Sequence, residues 1–307
     1  MTEFDTVYGV DFAVAKTDAD RKVWVAEGRV EDGELRITRL QCARDFFGSG
    51  PDADDGPRGR DETLEALWRG IAGVDGDGRQ ADPDIADDAA WGLDFPFAVP
   101  GSIIENHDEW DAFVAEFPAS VGLGDDDASP DGLRDRATAA GETARAVDAG
   151  GAKPAAGWLM KYLTYHGIER VLKPLVADGS ATVVPMQSVG EHGDAGPVVM
   201  EVYPGGTLGE LSCEFDGAVN RNYKGTTDAD LRNRRNNLDA LAEAGVEFGD
   251  DGDDCSLHER AAHDDDALDA VVAAFATWRN TRSDADFDAP ADYDPNGEHA
   301  IEGYIYS

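Results

Sequence analysis

The chain has 307 residues, of which 41% are hydrophobic, enough for a sizeable core and too many for global disorder, and no apolar run nears the roughly 18 residues that span a bilayer. Its 64 acidic against 26 basic residues leave a formal net charge of −38. Such an acidic, lysine-poor surface suits a cytoplasm at molar salt, where the Debye length is about 3 Å and carboxylates repel one another little, so the expected source is a halophile.

The segment Met1-Thr2-Glu3-Phe4-Asp5 lacks the basic-then-apolar order of a secretory leader, and Cys42, Cys213 and Cys255 form neither a CxxC pair nor an even framework. Both features fit a reducing cytoplasm and no membrane partner. Residues 6–12 predict a short buried strand, and 22–30 and 34–40 two more, joined at the hairpin signal Glu31-Asp32-Gly33. Residues 48–60 read as a loop. Helical spacing follows over 61–72, with Leu64, Leu67, Trp68 and Ile71 on one face. A second acidic loop over 74–88 leads to a fourth strand over 89–95, stopped by Pro96. Residues 108–117 predict a short helix, 122–131 an acidic loop or insertion, and 133–147 and 155–172 two further helices.

Strands are expected over 181–186 and 197–202. Helices are expected over 228–243 and over 264–279, the last carrying Leu268, Val271, Val272, Phe275 and Trp278, and 301–306 can add a small strand. With no internal repeat and no long structureless linker, the pattern predicts a single mixed α/β domain over 1–307, with insertions around 48–60 and 97–180. Charge is uneven along it: residues 153–235 carry nine basic and ten acidic groups, whereas 51–152 and 236–307 are at −18 and −16. That block, which includes Lys153, Lys161, Lys224, Arg234 and Arg235, is either more buried and salt-bridged or retains a phosphate-facing surface.

The informative residues are acids in apolar settings. Asp11 lies between Val10 and Phe12, and Asp94 between Leu93 and Phe95, both in buried-type strands. Asp is disfavoured in strands, and an unpaired buried carboxylate costs several kcal/mol or protonates. Glu201 follows Val198-Val199-Met200 at the end of another apolar run. Asp266 and Asp269, three apart, share a face of the last helix, and Asp264 or Asp265 suits its N-cap. Singly, each is explained by a cap, a salt bridge to Arg or a solvated strand end. Packed together, they need positive charge between them, and hard oxygen ligands favour Mg²⁺ or Mn²⁺ over Zn²⁺.

Other chemistries lack their signatures. GxxxxGK[ST] and GxSxG are absent. His258 and His263 are five apart where a zinc helix needs four, so they diverge by about 140°.

The motifs Gly9-Val10-Asp11-Phe12-Ala13, Gly92-Leu93-Asp94-Phe95-Pro96, Glu201-Val202-Tyr203-Pro204 and Asp266-Ala267-Leu268-Asp269-Ala270 together resemble the family catalogued as domain of unknown function 429. Residues 167–175, Val184-Pro185 and Tyr223-Lys224-Gly225 extend the resemblance over nearly the whole chain. That family is grouped with the ribonuclease H-like fold and described as predicted nucleases. The closing DxxDA is also similar to Holliday-junction resolvases.

The resemblance implies a ribonuclease H-like mixed five-stranded sheet flanked by helices, with acidic loop insertions. The strand of Asp11 would lie beside that of Asp94, the closing helix would bring Asp266 or Asp269 alongside, and Glu201 would complete the cluster. The reaction expected of it is metal-dependent hydrolysis of a phosphodiester with two Mg²⁺ or Mn²⁺ ions and a nucleic acid as substrate. In that scheme Asp11 is the bridging ligand, Asp94 and Asp269 hold one metal each, and Glu201 or Asp266 orients the water. Lys224, Arg234 and Arg235 would meet substrate phosphates. The alternatives are a non-catalytic metal- or nucleic-acid-binding module of the same fold and an actin-like phosphotransferase, which needs a second Gly-rich phosphate loop that the sequence lacks.

Overall fold

The computed structural model describes residues 4–48, 57–74, 89–189, 196–215, 219, 222–250, 255–282, 287, 290, 292–295, 297 and 300–307. Residues 49–56 of the loop expected over 48–60, and 75–88 of the loop expected over 74–88, lie outside that set. In strand β1 (Thr6–Asp11) every residue is buried, as in a central strand covered on both faces. Tyr8 and Val10 join one core, and Val7 joins the other.

From β1 the chain turns back into β2 (Trp24–Glu31) and then β3 (Glu34–Cys42), both antiparallel to their predecessors. Asp32 and Gly33 take φ of 53° and 85° at the expected hairpin, the pair of left-handed residues that a tight two-residue turn requires. Single-turn helices α1 (Ala19–Lys22) and α2 (Ala43–Phe46) flank this hairpin, and α3 (Gly59–Ile71) follows. Strand β4 (Ala90–Leu93) then lies parallel to β1 on its other side. A helical layer comes next, formed by α4 (Trp110–Glu116), α5 (Pro130–Ala140), α6 (Lys161–Gly167) and α7 (Lys173–Asp178).

Beyond this layer lie β5 (Thr182–Val183) and β6 (Val198–Glu201), then α8 (Pro204–Glu214), α9 (Asp228–Glu243), β7 (Val246–Phe248), α10 (Leu257–His263) and α11 (Asp265–Thr281). The sheet order is β5-β6-β4-β1-β2-β3-β7. The fold is therefore α/β, with a seven-stranded mixed sheet flanked by helices on both faces. Helices α3 to α7 cover the face of Tyr8, Trp91 and Val199, and α8 to α11 the face of Val7, Ala90 and Met200.

Helix α11 packs directly on the backbone of the two central strands. A Cβ on Gly9 would come within 2.0 Å of the Ala274 nitrogen and 2.3 Å of the Ala270 carbonyl oxygen, and one on Gly92 within 2.0 Å of Thr277 Oγ1. Glycine on the strands and alanine on the helix thus allow a close approach, and that contact fixes the helix along the sheet.

The fold departs from expectation in several places. The sheet has seven strands in place of five, because β7 pairs with β3 and the two-residue β5 adds an edge. The helix expected over 133–147 ends at Ala140, where Gly141 takes φ of 83°. That expected over 155–172 begins at Lys161 and continues to Asp178 through a π-helical turn over Ile168–Leu172. Helix α8 was hidden by Gly205 and Gly206, poor helix formers, although Pro204 in the first turn is a start signal. In 301–306 a single bridge, Val202 to Tyr306, replaces the expected strand.

Candidate functional site

Two Gly-x-Asp segments lie side by side. Gly9 pairs with Gly92 and Val10 with Leu93 in the parallel β1–β4 ladder, and the Asp94 N–H donates to the Val10 carbonyl at 3.0 Å. Side chains two apart share a face of a strand, so Asp11 follows Gly9 onto the face that α11 covers. On α11, Asp266 and Asp269 lie one turn before Ala270 and Ala273, the residues pressed against Gly9. The close contact therefore carries Asp269 to the carboxyl ends of β1 and β4. Asp264 caps the helix, its side chain accepting from the Asp266 and Ala267 N–H groups.

The consequence is a knot of negative charge. Burial, then repulsion from Asp269, Asp94 and Asp266, holds the Asp11 carboxyl well above the usual carboxylate range. Asp94 is pushed up to about 8, first by burial and then by Asp269, and Asp266 to about 6, by burial and its neighbours Asp264 and Asp265. Asp269, 1% exposed, is raised by burial, which outweighs its bonds. Those bonds come from Lys224, whose Nζ lies 2.5 Å from Asp269 Oδ2, and from the Tyr223 hydroxyl, which donates to Oδ1 at 2.5 Å. Among the described residues, neither Asp11 nor Asp94 has a side-chain hydrogen bond or ion pair.

Glu201 belongs to a different constellation. It pairs with Leu93 in the β4–β6 register, and Leu93 and Val199 face the α3–α7 side. Its side chain thus leaves the sheet on the face opposite Asp11. There Arg145 grips it in a bidentate ion pair, Nη2 to Oε1 at 2.5 Å and Nη1 to Oε2 at 2.8 Å, and the Phe97 N–H donates to Oε2 at 2.8 Å. Arg145 also donates to Asp148 and to the Glu302 carbonyl, and the Glu302 carboxylate accepts from the Gly101 and Ala146 N–H groups. Glu201 is therefore neutralised by a guanidinium, and its expected place as a metal ligand is corrected accordingly.

Two of the three expected phosphate contacts are also corrected. Arg234 is 3% exposed and donates to the carbonyls of Ala262, Tyr223 and Gly225. It braces the Tyr223–Lys224 segment and does not face the cavity. Arg235, one position round the helix, pairs with Glu259 at 2.9 Å on the outer surface. Lys224 does reach the site.

A cavity of about 530 Å³ opens above these acids, lined by Asp11, Asp94, Asp266, Asp269 and Lys224, with Arg145 and Glu201 in its wall. Lys22 and Lys153 also line it. The chain has six lysines among 307 residues, so half of them surround one cavity. Lys22 and Arg145 carry no motif in the sequence, and Lys153 and Tyr223 stand there only within a basic block and beside Lys224; the scarcity of lysine is the signal that could have singled out Lys22 and Lys153.

Oxygen donors of this kind suit a hard divalent cation, and the raised carboxyls are the groups such an ion would hold ionised. As the side chains stand, with Lys224 paired to Asp269, no three His, Cys, Asp or Glu among the described residues are grouped to hold one metal ion. Lys224 lines the cavity and is 57% exposed along its side chain, so the ammonium that pairs with the cluster is carried on a stem that reaches solvent. No helix among the described residues is long and apolar enough to cross a membrane. Comparison with family models, curated proteins and solved structures finds no match.

Proposed function

We propose that this cavity hydrolyses phosphodiesters with the help of divalent cations, and that the fold is ribonuclease H-like, the source being a halophile. The observation that carries the reading is the convergence of Asp11, Asp94 and Asp269 from two adjacent strands and one helix, with two of the three lacking any protein partner among the described residues. The antiparallel β1-β2-β3 meander followed by parallel β4 and β6 supports the fold assignment. A nucleic acid is the substrate class favoured by three lysines round an otherwise acidic cavity.

Asp11, Asp94 and Asp269 would hold Mg²⁺ or Mn²⁺, which supplies Lewis-acid activation of water and stabilisation of the leaving oxygen. The chain itself does the rest. Lys22 and Lys153 bind the anionic backbone at the rim. Lys224, released from Asp269, neutralises the phosphate at the reacting centre. Tyr223 keeps its hydrogen bond to Asp269 and so fixes that carboxylate's orientation. Asp266, whose carboxyl is pushed up to about 6 and is therefore mostly ionised at neutral pH, would take a proton from the attacking water as the new P–O bond forms, and the departing oxygen would be protonated from solvent. Arg145 keeps the opposite wall rigid through Glu201.

The Lys224–Asp269 ion pair favours one second reading, in which the ammonium permanently closes the cluster and the cavity binds nucleic acid without turnover. Incubation of labelled single-stranded, duplex and branched DNA and RNA with Mn²⁺ in molar KCl separates the two. The hydrolytic reading expects cleavage that chelator and Asp11→Asn abolish; binding with no cleavage of any of these substrates supports the second.

A further inference from the structure

The large apolar side chains exposed among the described residues lie in one place: Trp158 is 67% exposed, Leu159 61% and Tyr162 43%. This place adjoins the cavity, since Leu159, Met160 and Leu163 form part of its wall. The rings are held from below by cations. Lys161, whose side chain is 1% exposed and paired with Asp131, places Nζ 4.5 Å from the Trp158 ring centre and 4.9 Å from that of Tyr162. Arg134 lies 4.7 Å from the Trp158 centre. Burying a lysine beneath an exposed tryptophan is costly, yet it fixes the ring while most of its surface stays in water.

We infer that Trp158, with Tyr162, is a stacking platform for an unpaired base of the substrate strand, next to the phosphodiester held over Asp11 and Asp94. This assignment rests on the phosphodiester reading above and narrows it: the strand is single, or has a base extruded from a duplex. A base has a π face to cover the indole, and its flanking phosphates meet Arg134 on one side and Lys153 on the other. An apolar peptide or a second copy of the chain would cover the ring but leave those cations without counter-charge. A paired base is stacked on its neighbours and does not offer a free face. Stacking is also a contribution that survives molar salt, where phosphate contacts weaken steeply.

The test compares a short single-stranded DNA or RNA with a strand of equal length made of stable tetrahydrofuran abasic units, by fluorescence anisotropy in chelator, at low and at molar KCl. The wild-type protein should prefer the base-bearing strand by roughly tenfold. Trp158→Ala should bring that preference close to unity, Tyr162→Ala should reduce it, and Trp158→Phe should retain most of it. The preference should persist as salt rises while both absolute affinities fall. Equal binding of the two strands by the wild type, or a preference that Trp158→Ala leaves intact, overturns the platform, as does a Trp158→Ala variant whose only change is its oligomeric state in light scattering. Mn²⁺-dependent cleavage of the base-bearing strand reads the acidic site separately: its absence counts against hydrolysis, whereas the binding preference in chelator reports on the platform alone.

Discussion

Two buried charge clusters flank the same cavity, and they are built in opposite ways. Around Arg145, the carboxylates of Asp148, Glu201 and Glu302 are met by the guanidinium or by backbone N–H groups from residues 97, 101, 145, 146 and 155. Around Asp11, four carboxyls share one ammonium, and three of them, Asp11, Asp94 and Asp266, have no direct side-chain partner among the described residues. Satisfied buried charge fixes a wall. Unsatisfied buried charge stores repulsion that only a cation or a proton relieves, and such acids are where chemistry is to be sought.

Each cluster can be disrupted separately. The largest effect is expected at Asp11. Asp11→Asn should lower phosphodiester cleavage by about three orders of magnitude while raising the melting temperature in chelator, because it removes a repelled charge. Arg145→Ala should do the reverse. It leaves Glu201 buried without its counter-ion, a loss of about 3–5 kcal/mol in denaturant melts, with cleavage reduced only in proportion to the folded fraction. Gly9→Ala is smaller and strikes the geometry between the clusters. Its Cβ meets α11 backbone that has no room to yield, which costs about 1–3 kcal/mol by overpacking and moves Asp269 away from Asp11.

Stability should also depend on pH. Asp94 is held near 8 in the fold against 3.8 for an ordinary Asp, so between those values the folded chain binds more protons than the unfolded one. Stability from this group is full below about pH 4 and is lost as pH rises towards 8. His166 slopes the other way. Burial and Arg60 hold it near 4 against an ordinary 6.5, so it gains stability with pH only up to about 6.5. From pH 6.5 to 8 in chelator the melting temperature should therefore fall by several degrees, and Asp94→Asn should flatten the decline. The smallest effects are expected at the rim: Lys22→Ala and Lys153→Ala should raise KM a few-fold and reduce its salt dependence, with kcat little changed.

Much of this was legible in the sequence, and the reasons are physical. Asp11 and Asp94 stood out because aspartate is rare inside apolar strands, and Asp266 with Asp269 because three-residue spacing places them on one helical face. Gly9 and Gly92, each two residues before an Asp, contain the close packing that joins the elements, although only the fold reveals the alanines they meet. Glu201 was misplaced for a reason of parity: a strand end and an apolar neighbourhood say nothing about which face a residue takes until the register is known. Arg234 and Arg235 show the same limit, since nine basic residues in one block say nothing of which are spent on carbonyls or surface acids. Strand β7 and helix α8, short or glycine-rich, carry too little pattern to be read alone.

The proposed hydrolysis requires Asp11, Asp94 and Asp269 to bind a cation in place of the Lys224 ammonium. Calorimetric titration of the chelator-treated protein with Mn²⁺ in molar KCl at neutral pH tests it most directly. Saturable binding is expected, accompanied by proton release as a raised carboxyl ionises, and it should be lost in Asp11→Asn. Binding that is unchanged in Asp11→Asn, or no saturable binding in the wild type, would contradict this requirement.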